Sequence, residues 1–383
     1  MTDNRQILLK RQCEGVPSPD DFELHDEPIG DPQPGQLLCE TVYLSLDPYL
    51  RGKISGRHLS GAILPGQLMA GEAISRVIIA NAAGFEPGDL IAAHSGWQTH
   101  SLVEAVAARK VDPSVEPSSL FLGILGMPGL TAYAGLLRLG EPKAGDVVVV
   151  SAASGAVGSM VGQIARIKGC TVVGIAGSPN KCAWVTEGAG MDHCIDYKTE
   201  DLREALERTC PNGIDLYFDN VGGDMLQAAM ERLAIGARVV LCGLMSQYNT
   251  TEMPPGPNPA YIIKARATVR GMVVYDHEDL RETFESEAAG WLRQGRINYL
   301  EDVTDGIENA PVAFSRLMQG KNHGKAVVRV SWLPHELTTG DEVRQSRLEA
   351  AIASIADSRQ SPGDTFEHRR QTQVSRRSSH SVR

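Results

Sequence analysis

The residues most able to do chemistry lie in a glycine-containing turn between a run of valines and an amphipathic segment. Residues 147–158 read VVVVSAASGAVG. Gly155 permits a pyrophosphate to approach the backbone, and Gly158 lets a strand and a helix pack tightly. The free N–H groups of a helix N-terminus attract the same anion. Ala153 replaces the first glycine of the G-x-G-x-x-G pattern, so the prediction of a dinucleotide site depends on the elements around the turn.

A second loop indicates which dinucleotide would bind. In sites for NAD, an acidic residue about 20 positions beyond the glycines binds the ribose 2'-hydroxyl. Here the strand predicted over 171–176 is followed by GSPNK, which has no acid and ends in a lysine. Ser178 and Lys181, together with Tyr197 after the next strand, could bind a 2'-phosphate, which a carboxylate would repel. The loop therefore favours NADPH over NADH, although Lys181 could also be a solvated residue of a first helical turn.

Strands alternate with helix-length segments from about residue 145, which predicts βαβ units around a parallel sheet. The predicted strands are 147–151, 171–176, 193–195, 214–219, 237–242 and 268–274. The helices predicted between them are 155–169, 180–189, 199–209, 224–233 and 277–294. These helices are long enough for right-handed crossovers. Together the elements predict a doubly wound sheet that would place the glycine turn at a strand end.

The segments on either side of this region have a different character. Up to about residue 118, short strands separated by turn formers predict a small, mostly β domain. A helix over 308–319 and a strand over 326–330 could return to that domain. Residues 333–383 contain a single aromatic residue and end in arginines and serines, which predicts a mobile tail. Within it, residues 341–359 could form one amphipathic helix.

The length and composition are those of a soluble protein with two domains. Of 383 residues, 42% are hydrophobic and 22% are charged, which excludes collagen-like and mostly disordered classes. The formal net charge of −10 offers no basic surface to nucleic acid. Seven cysteines without a C-x-x-C pair, and an N-terminus without an apolar core, favour free thiols in the cytoplasm. Two uncharged stretches, 118–137 and 147–165, contain turn formers that argue against membrane helices.

Five further motifs are more specific than the turn. They are 45–51 (SLDPYLR), 126–133 (GMPGLTAY), 217–223 (YFDNVGG), 242–249 (CGLMSQYN) and 320–325 (GKNHGK). In these motifs the chain resembles the medium-chain dehydrogenase/reductase superfamily, and within it the zinc-independent branch of prostaglandin reductases, leukotriene 12-hydroxydehydrogenases and alkenal double-bond reductases. The resemblance implies an α/β fold with a GroES-like β-rich catalytic domain over 1–120 and 300–332, an NADPH-binding Rossmann domain over 121–299, and a flexible tail over 333–383.

The resemblance also implies which residues form the site. A tyrosine hydroxyl or the ribose hydroxyl of the cofactor could donate to a substrate oxygen. Tyr248 is the first candidate for this donor and Tyr49 the second, and Tyr275 would also approach the substrate. The residues implied to bind the cofactor are Gly155, Ala156, Val157 and Gly158 at the pyrophosphate; Ser178, Lys181 and Tyr197 at the 2'-phosphate; Met127 and Thr131 near the nicotinamide; Met272, Val273 and Val274 at its carboxamide; and Asn220, Cys242, Ser246, Tyr248 and Asn322 elsewhere along it.

The zinc ligands of alcohol dehydrogenases from the same superfamily are missing. At the places of their early cysteine and of their Gly-His-Glu motif, this chain has Ser45-Leu46-Asp47 and Ala70-Gly71-Glu72. No other spacing of Cys and His suits a metal. Without a Lewis acid, alcohol oxidation is less favoured than hydride transfer from NADPH to the β-carbon of an α,β-unsaturated ketone or aldehyde.

Several alternatives stay open at the level of sequence. An NADPH:quinone oxidoreductase would use the same fold, and a non-catalytic NADPH-binding protein would use the same cofactor site. At about the position of Lys264, relatives carry an aromatic residue that helps to select long lipid substrates. The absence of this aromatic residue argues against eicosanoids as substrates. Alkenals, phenylpropanoid-like enones and polyketide intermediates stay open as substrates. The resemblance also implies a homodimer formed through edge strands of the Rossmann sheet.

Overall fold

A β-rich region occupies the first part of the chain in this computed structural model, which describes residues 2–252 and 254–333. Its elements are β1 (Thr2–Leu9), β2 (Phe22–Ile29), β3 (Gln36–Ser45), α1 (Leu50–Ile54), β4 (Ala73–Ala80), β5 (Leu90–Ala93), β6 (His100–Glu104) and β7 (Arg109–Lys110). β1 and β2 pair antiparallel. β3 is mostly buried, because it pairs with both β4 and β6 and its sequence is rich in apolar residues.

A six-stranded parallel sheet with intervening helices follows. Its elements are α2 (Met127–Ala134), β8 (Val147–Ser151), α3 (Ala156–Ile167), β9 (Thr171–Ala176), α4 (Pro179–Ala183), β10 (His193–Asp196), α5 (Leu202–Thr209), β11 (Ile214–Asp219), α6 (Gly223–Glu231), β12 (Leu233–Leu241), α7 (Ala260–Ala265), β13 (Thr268–Gly271) and α8 (Arg281–Arg293). The strand order is β10-β9-β8-β11-β12-β13, and all neighbours are parallel. This is the order of a doubly wound dinucleotide-binding sheet, so the predicted α/β fold is confirmed.

The end of the described chain returns to the β-rich region. After α8 come β14 (Glu301–Asp305), α9 (Ala310–Met318) and β15 (Lys325–Arg329). β15 pairs antiparallel with β3, so the larger β-rich sheet has the order β14-β15-β3-β4-β5-β7, with β6 also paired to β3. Phe314 of α9 packs against Trp97 with ring centroids 5.6 Å apart, and Trp97 stacks on Phe22 at 5.8 Å. Burial of these rings attaches the last helix to the first strands.

Element boundaries differ from the predicted ones where the backbone changes conformation. β12 begins at Leu233, earlier than predicted, because Gly236 at φ 78° carries the strand through a shift of register against β11. β13 ends at Gly271, so the strand predicted over 268–274 is confirmed for its first four residues and is wrong for 272–274. α8 begins at Arg281 and not at His277, which has a non-helical φ of −127° inside a preceding 3-10 turn.

Among residues 2–252 and 254–333, no helix is long and apolar enough to cross a membrane. The predicted domain limits at 120 and 300 stay predictions. The predicted tail beyond residue 333, with its helix over 341–359, lies outside the described residues.

Candidate cofactor cleft and active site

The turn between β8 and α3 leaves little or no room for side chains at its two glycines. A Cβ atom on Gly158 would lie 2.3 Å from the Ala152 carbonyl oxygen, and one on Gly155 would lie 3.2 Å from the same atom. Within the part of the chain that the structure describes, no side chain caps the N-terminus of α3, so its first N–H groups have no side-chain acceptor there. A close-packed glycine turn that leads into uncapped N–H groups fits a pyrophosphate.

A glycine in the next strand compensates for the missing first glycine of the motif. Ala153 is fully buried, and its N–H group donates to the Ile175 carbonyl at 3.0 Å. A Cβ atom on Gly174 would lie 2.7 Å from the Ala153 methyl carbon. Because Gly174 has no side chain, this methyl group fits between β8 and β9. The departure from G-x-G-x-x-G is therefore accommodated by packing.

Asp219 joins the carboxyl ends of β8 and β11. Its carboxylate accepts hydrogen bonds from the Tyr217 hydroxyl at 2.9 Å and from the Ser151 hydroxyl and the Gly222 N–H group at 3.0 Å. The Asn220 amide donates to the Ser151 carbonyl at 2.8 Å. Burial is the main cause that raises the pKa of Asp219. The network holds Asn220, a predicted cofactor residue, next to β8. The order of the strands reverses at β8, and doubly wound sheets bind ligands at such a point.

The three residues predicted to select a 2'-phosphate lie together after β9 and β10. The Ser178 hydroxyl caps α4 by accepting from the Lys181 N–H group at 3.3 Å. Tyr197 is exposed, and its ring leaves room only for glycine at position 177, where a Cβ atom would lie 2.7 Å from the ring. The Lys181 ammonium donates to the Gly320 carbonyl at 2.7 Å, which leaves two of its three donors for an anion.

A second lysine, which was not predicted, adds positive charge to this loop. Burial lowers the pKa of Lys181, and the nearby charge of Lys198 lowers it further. Lys198 directly follows Tyr197, and this basic neighbour was the signal available in the sequence. Two lysines at one loop attract a phosphate locally, although the net charge of the whole chain is −10.

Asn322 lies in the loop that Lys181 holds through Gly320. Its side-chain amide donates to the Gly324 carbonyl at 2.7 Å. The structure therefore brings the backbone of this loop to the predicted 2'-phosphate site and leaves the Asn322 amide bonded within its own loop.

The residues predicted near the nicotinamide lie on α2 and after β13. Met127 and Thr131 are one turn apart, and the Thr131 hydroxyl donates to the Met127 carbonyl at 2.8 Å. Thr131 is buried, whereas Met127 is partly exposed at the start of the helix. The Met272 N–H group donates to the Leu241 carbonyl at 2.8 Å, and Val273 is exposed. Because pairing with β12 ends at Gly271, the N–H groups of Val273 and Val274 are not used in the sheet.

The loop after β12 is bonded to the loop after β11. The Cys242 N–H group donates to the Asp219 carbonyl at 2.8 Å, and the Ser246 hydroxyl donates to the Val221 carbonyl at 2.6 Å. Burial raises the pKa of the Cys242 thiol to about 12, so this thiol is protonated at neutral pH. The structure therefore brings Cys242 and Ser246 next to Asn220, as a shared cofactor site requires.

The two candidate tyrosines pack against the same hydrophobic core. Tyr49 and Tyr248 both contact the buried cluster that contains Trp97 and Phe314. Burial raises the pKa of both hydroxyl groups, so both remain protonated and able to donate near neutral pH. The Tyr248 hydroxyl accepts a long hydrogen bond from the Leu244 N–H group at 3.4 Å. Its own proton stays available for a ligand.

Tyr275 lies near enough to Tyr49 for the charges of the two side chains to interact. It is half exposed. Burial and then the negative charges of Asp47 and Glu72 raise the pKa of Tyr275. Burial and then the charges of Asp47, Tyr275 and Glu72 raise the pKa of Tyr49. The four groups therefore lie near one another, and the two carboxyl groups were not predicted.

A buried ammonium group lies beside the positions at which the chain lacks zinc ligands. Lys325 Nζ donates to Asp47 Oδ1 and Ser45 Oγ, both at 2.7 Å, and to the Leu46 carbonyl at 2.9 Å. The Ser45 hydroxyl also donates to Asp47. Lys325 and Asp47 are each 5% exposed, so the pair joins β15 to the end of β3 inside the protein. Among residues 2–252 and 254–333, no group of three or more His, Cys, Asp or Glu side chains is arranged to hold a metal.

Comparison with known proteins finds two family models and many similar chains. Residues 156–289 match the model described as zinc-binding dehydrogenase, and residues 5–111 match the N-terminal domain of oxidoreductase. The chain is 42% identical over 335 residues to the NADPH-dependent curcumin reductase of Escherichia coli (strain K12), covering 86% of this chain and 97% of that protein. It is also 42% identical over 335 residues to prostaglandin reductase 1 of Bos taurus, covering 86% and 100%. The structure of CurA from Vibrio vulnificus in complex with NADPH is similar at a TM-score of 0.82 and 42% identity, covering 86% and 100%.

Proposed function

The chain belongs to the medium-chain dehydrogenase/reductase superfamily, in the branch of prostaglandin reductases and alkenal reductases, and on that premise we propose that it reduces the C=C bond of an α,β-unsaturated ketone or aldehyde with NADPH. One observation carries the proposal. A protonated tyrosine hydroxyl, that of Tyr248, lies in the loop that is bonded to Asn220 at the reversal point of the sheet. A hydrogen-bond donor is therefore placed beside the predicted cofactor site.

The chain's own groups would hold the cofactor along the carboxyl ends of the parallel strands. The uncapped start of α3, with Gly155, Ala156, Val157 and the close-packed Gly158, would bind the pyrophosphate. Ser178, Lys181 and Tyr197 would bind the 2'-phosphate. The remaining contacts would come from Met127, Thr131, Asn220, Cys242, Ser246, Met272, Val273, Val274 and Asn322. Bound NADPH supplies a hydride to the substrate.

The tyrosines would stabilise the negative charge that develops on the substrate oxygen. When a hydride adds to the β-carbon of an enone, the carbonyl oxygen becomes an enolate oxygen. A positioned hydroxyl donor stabilises such an oxygen without a metal. Tyr248 is the preferred donor, because the described residues give its hydroxyl group only one long hydrogen bond, and Tyr49 is the second. Tyr275 would contact the rest of the substrate.

The substrate would be an enone or enal other than an eicosanoid. Lys264 is exposed on α7, near the position where relatives carry an aromatic residue for long lipids. An alkenal, a phenylpropanoid-like enone or a polyketide intermediate would avoid that requirement. All three present the same conjugated carbonyl group to the cleft.

Two features of the molecule's setting are also part of the proposal. All seven cysteines are free thiols, which supports a reducing compartment such as the cytoplasm. β13 is an outer strand of the parallel sheet, and all four of its residues are exposed or partly exposed, which supports a homodimer through that edge of the sheet. Light scattering at micromolar concentration distinguishes a dimer from a monomer.

A substrate screen with product analysis by mass tests the proposed reaction. The protein is incubated with NADPH and matched enals, enones or quinones. In a separate reaction it is incubated with NADP+ and secondary alcohols. We expect an enone or enal product that has gained two hydrogen atoms at the alkene. Preferential consumption of quinones, or no consumption of NADPH with any acceptor, would contradict the proposal.

A further inference from the structure

The last turn of α9 presents carbonyl groups to two other segments of the chain. Among the described residues, no backbone N–H group donates to the carbonyl of Met318, the last residue of α9. The Asn249 side-chain amide donates to it instead, at 3.0 Å. The Lys181 ammonium donates to the carbonyl of Gly320, two residues farther along, at 2.7 Å. Free carbonyl groups at the end of a helix attract such donors, so α9 holds two segments of the parallel-sheet region.

The bond between Asn249 and Met318 lies next to the candidate donor Tyr248. Tyr248 directly precedes Asn249 in the chain. Its ring packs against a buried cluster that includes Phe314, Leu317 and Met318 of α9. The ring therefore rests on a cluster that α9 helps to form, and the next residue is bonded to the end of the same helix. Packing of a side chain and a hydrogen bond beside it together hold a functional group in place.

The orientation of the Asn249 amide is set by the group that it faces. A carbonyl oxygen can accept only from the NH2 end of the amide, so Nδ2 faces Met318. The other end, Oδ1, is buried and has no hydrogen-bond partner among the described residues. Within the part of the chain that the structure describes, the bond to Met318 is therefore the one hydrogen bond of this side chain. A substitution of Asn249 removes a single, defined contact.

The loop after β12 is bonded to other segments on both sides of Tyr248. Before Tyr248, the Ser246 hydroxyl donates at 2.6 Å to a carbonyl of the loop after β11. After it, Asn249 is bonded to α9, and the Arg57 guanidinium donates to the Thr250 carbonyl at 2.7 Å. Arg57 is exposed, whereas Asn249 is partly buried. Because water competes less for the partly buried bond, the bond of Asn249 is the stronger restraint after Tyr248.

We propose that Asn249 is a positioning residue for enone reduction, and that its bond to the Met318 carbonyl holds the Tyr248 hydroxyl group where the substrate oxygen meets it. The proposal rests on the proposed function, in which Tyr248 stabilises the enolate oxygen. Such a donor is effective when it is in place before the charge develops. A displacement of about 1 Å in a catalytic group costs up to about a hundredfold in rate. Asn249 acts through Tyr248 and takes no part in the bonds that form or break.

The variant Asn249→Leu tests the proposal, because leucine has a similar size and cannot donate to the carbonyl. We expect kcat for an enone to fall about tenfold, less than in Tyr248→Phe, because the hydroxyl group is still present but less well held. The Kd for NADPH should stay at the wild-type value. Asn298→Leu is the matched control, since the Asn298 amide donates at 2.8 Å to the carbonyl of Gly188 at the end of another helical segment. This control should keep the wild-type kcat.

A double-mutant cycle shows whether Asn249 acts through Tyr248. When Tyr248→Phe has already removed the hydroxyl group, adding Asn249→Leu should lower kcat by less than about twofold. An equal loss in both backgrounds would overturn the proposal, because a residue that supports only the general structure lowers kcat whether or not the hydroxyl is there. A wild-type kcat in Asn249→Leu, or a comparable loss in Asn298→Leu, would overturn it as well.

Fluorine NMR separates this proposal from the proposed function. If the wild type reduces no enone, the proposed function fails, and the cofactor-free protein still shows whether Asn249 holds the ring of Tyr248. The nine tyrosines are replaced by 3-fluorotyrosine, and the resonance that is missing from Tyr248→Phe is assigned to Tyr248. We expect this resonance to shift or broaden in Asn249→Leu and to stay in place in Asn298→Leu. An unmoved resonance in Asn249→Leu would overturn the proposal.

Discussion

The two sides of the cleft are built in different ways. The cofactor side consists of backbone and short-range contacts: the turn before α3, the Ser178 cap of α4, and the Asp219 network at neighbouring strand ends. The proposed substrate side consists of side chains from distant parts of the chain, such as Asp47 after β3 with Lys325 of β15. A local sequence motif can describe the first side. Only the assembled sheet creates the second.

The largest effect is expected on the substrate side, from Lys325→Met. Removing one partner of a buried ion pair leaves the other charge without compensation, which costs about 3–5 kcal/mol of unfolding free energy. Urea unfolding measures the loss. Arg5→Met, which breaks the exposed Arg5–Asp26 pair, is the control and should cost less than about 1 kcal/mol. Equal effects of the two substitutions would show that the Lys325 pair does not hold β15 to β3.

Tyr248→Phe should reduce catalysis without weakening the cofactor side. Losing a hydroxyl donor to a developing oxyanion lowers kcat by about a hundredfold or more. The Kd for NADPH, measured by fluorescence, should stay at the wild-type value. Tyr133→Phe removes a hydroxyl that is bonded to Glu287 and serves as the control. A kcat within threefold of wild type would remove Tyr248 from the mechanism.

Gly158→Ala should weaken cofactor binding, in contrast to Tyr248→Phe, which should leave it unchanged. The added Cβ atom would lie 2.3 Å from the Ala152 carbonyl oxygen, so the turn must move. We expect the Kd for NADPH to rise roughly a hundredfold, or about 2.7 kcal/mol. Gly290→Ala in α8, where a Cβ atom meets nothing within 4 Å, is the control. Unchanged NADPH binding in Gly158→Ala would mean that the pyrophosphate lies elsewhere.

The smallest of these effects is expected for Lys181→Ala. Two lysines serve the loop, so loss of one should lower the preference for NADPH over NADH by about tenfold, or roughly 1.4 kcal/mol. The ratio of kcat/KM values for the two cofactors measures this change. Lys168→Ala, at the far end of α3, should leave the ratio as it is. An unchanged ratio in Lys181→Ala would assign the selection to other residues.

Features that depend on contacts between residues close in sequence were predicted, and features that depend on contacts between remote residues were not. The unit of β8, glycine turn and α3 was predicted because its elements are consecutive and its glycines have a mechanical role. The start of β12 was not predicted, because a glycine such as Gly236 usually ends a strand. Only the pairing with β11 shows that the strand continues through a register shift. Ala153 looked like a defect of the motif, because its compensation, Gly174, lies in another strand. In each case the missing information was a neighbour that is remote in sequence.

The sequence alone was sufficient for the fold class and for NADPH as the cofactor, because these depend on periodicity and on residues within one βα unit, and it predicted a phosphate-binding turn on the same basis. It could not place Lys325 on Asp47 and Ser45. Those contacts exist only once β15 has joined the sheet beside β3. Hydrogen-bond register and burial decide which distant charges meet.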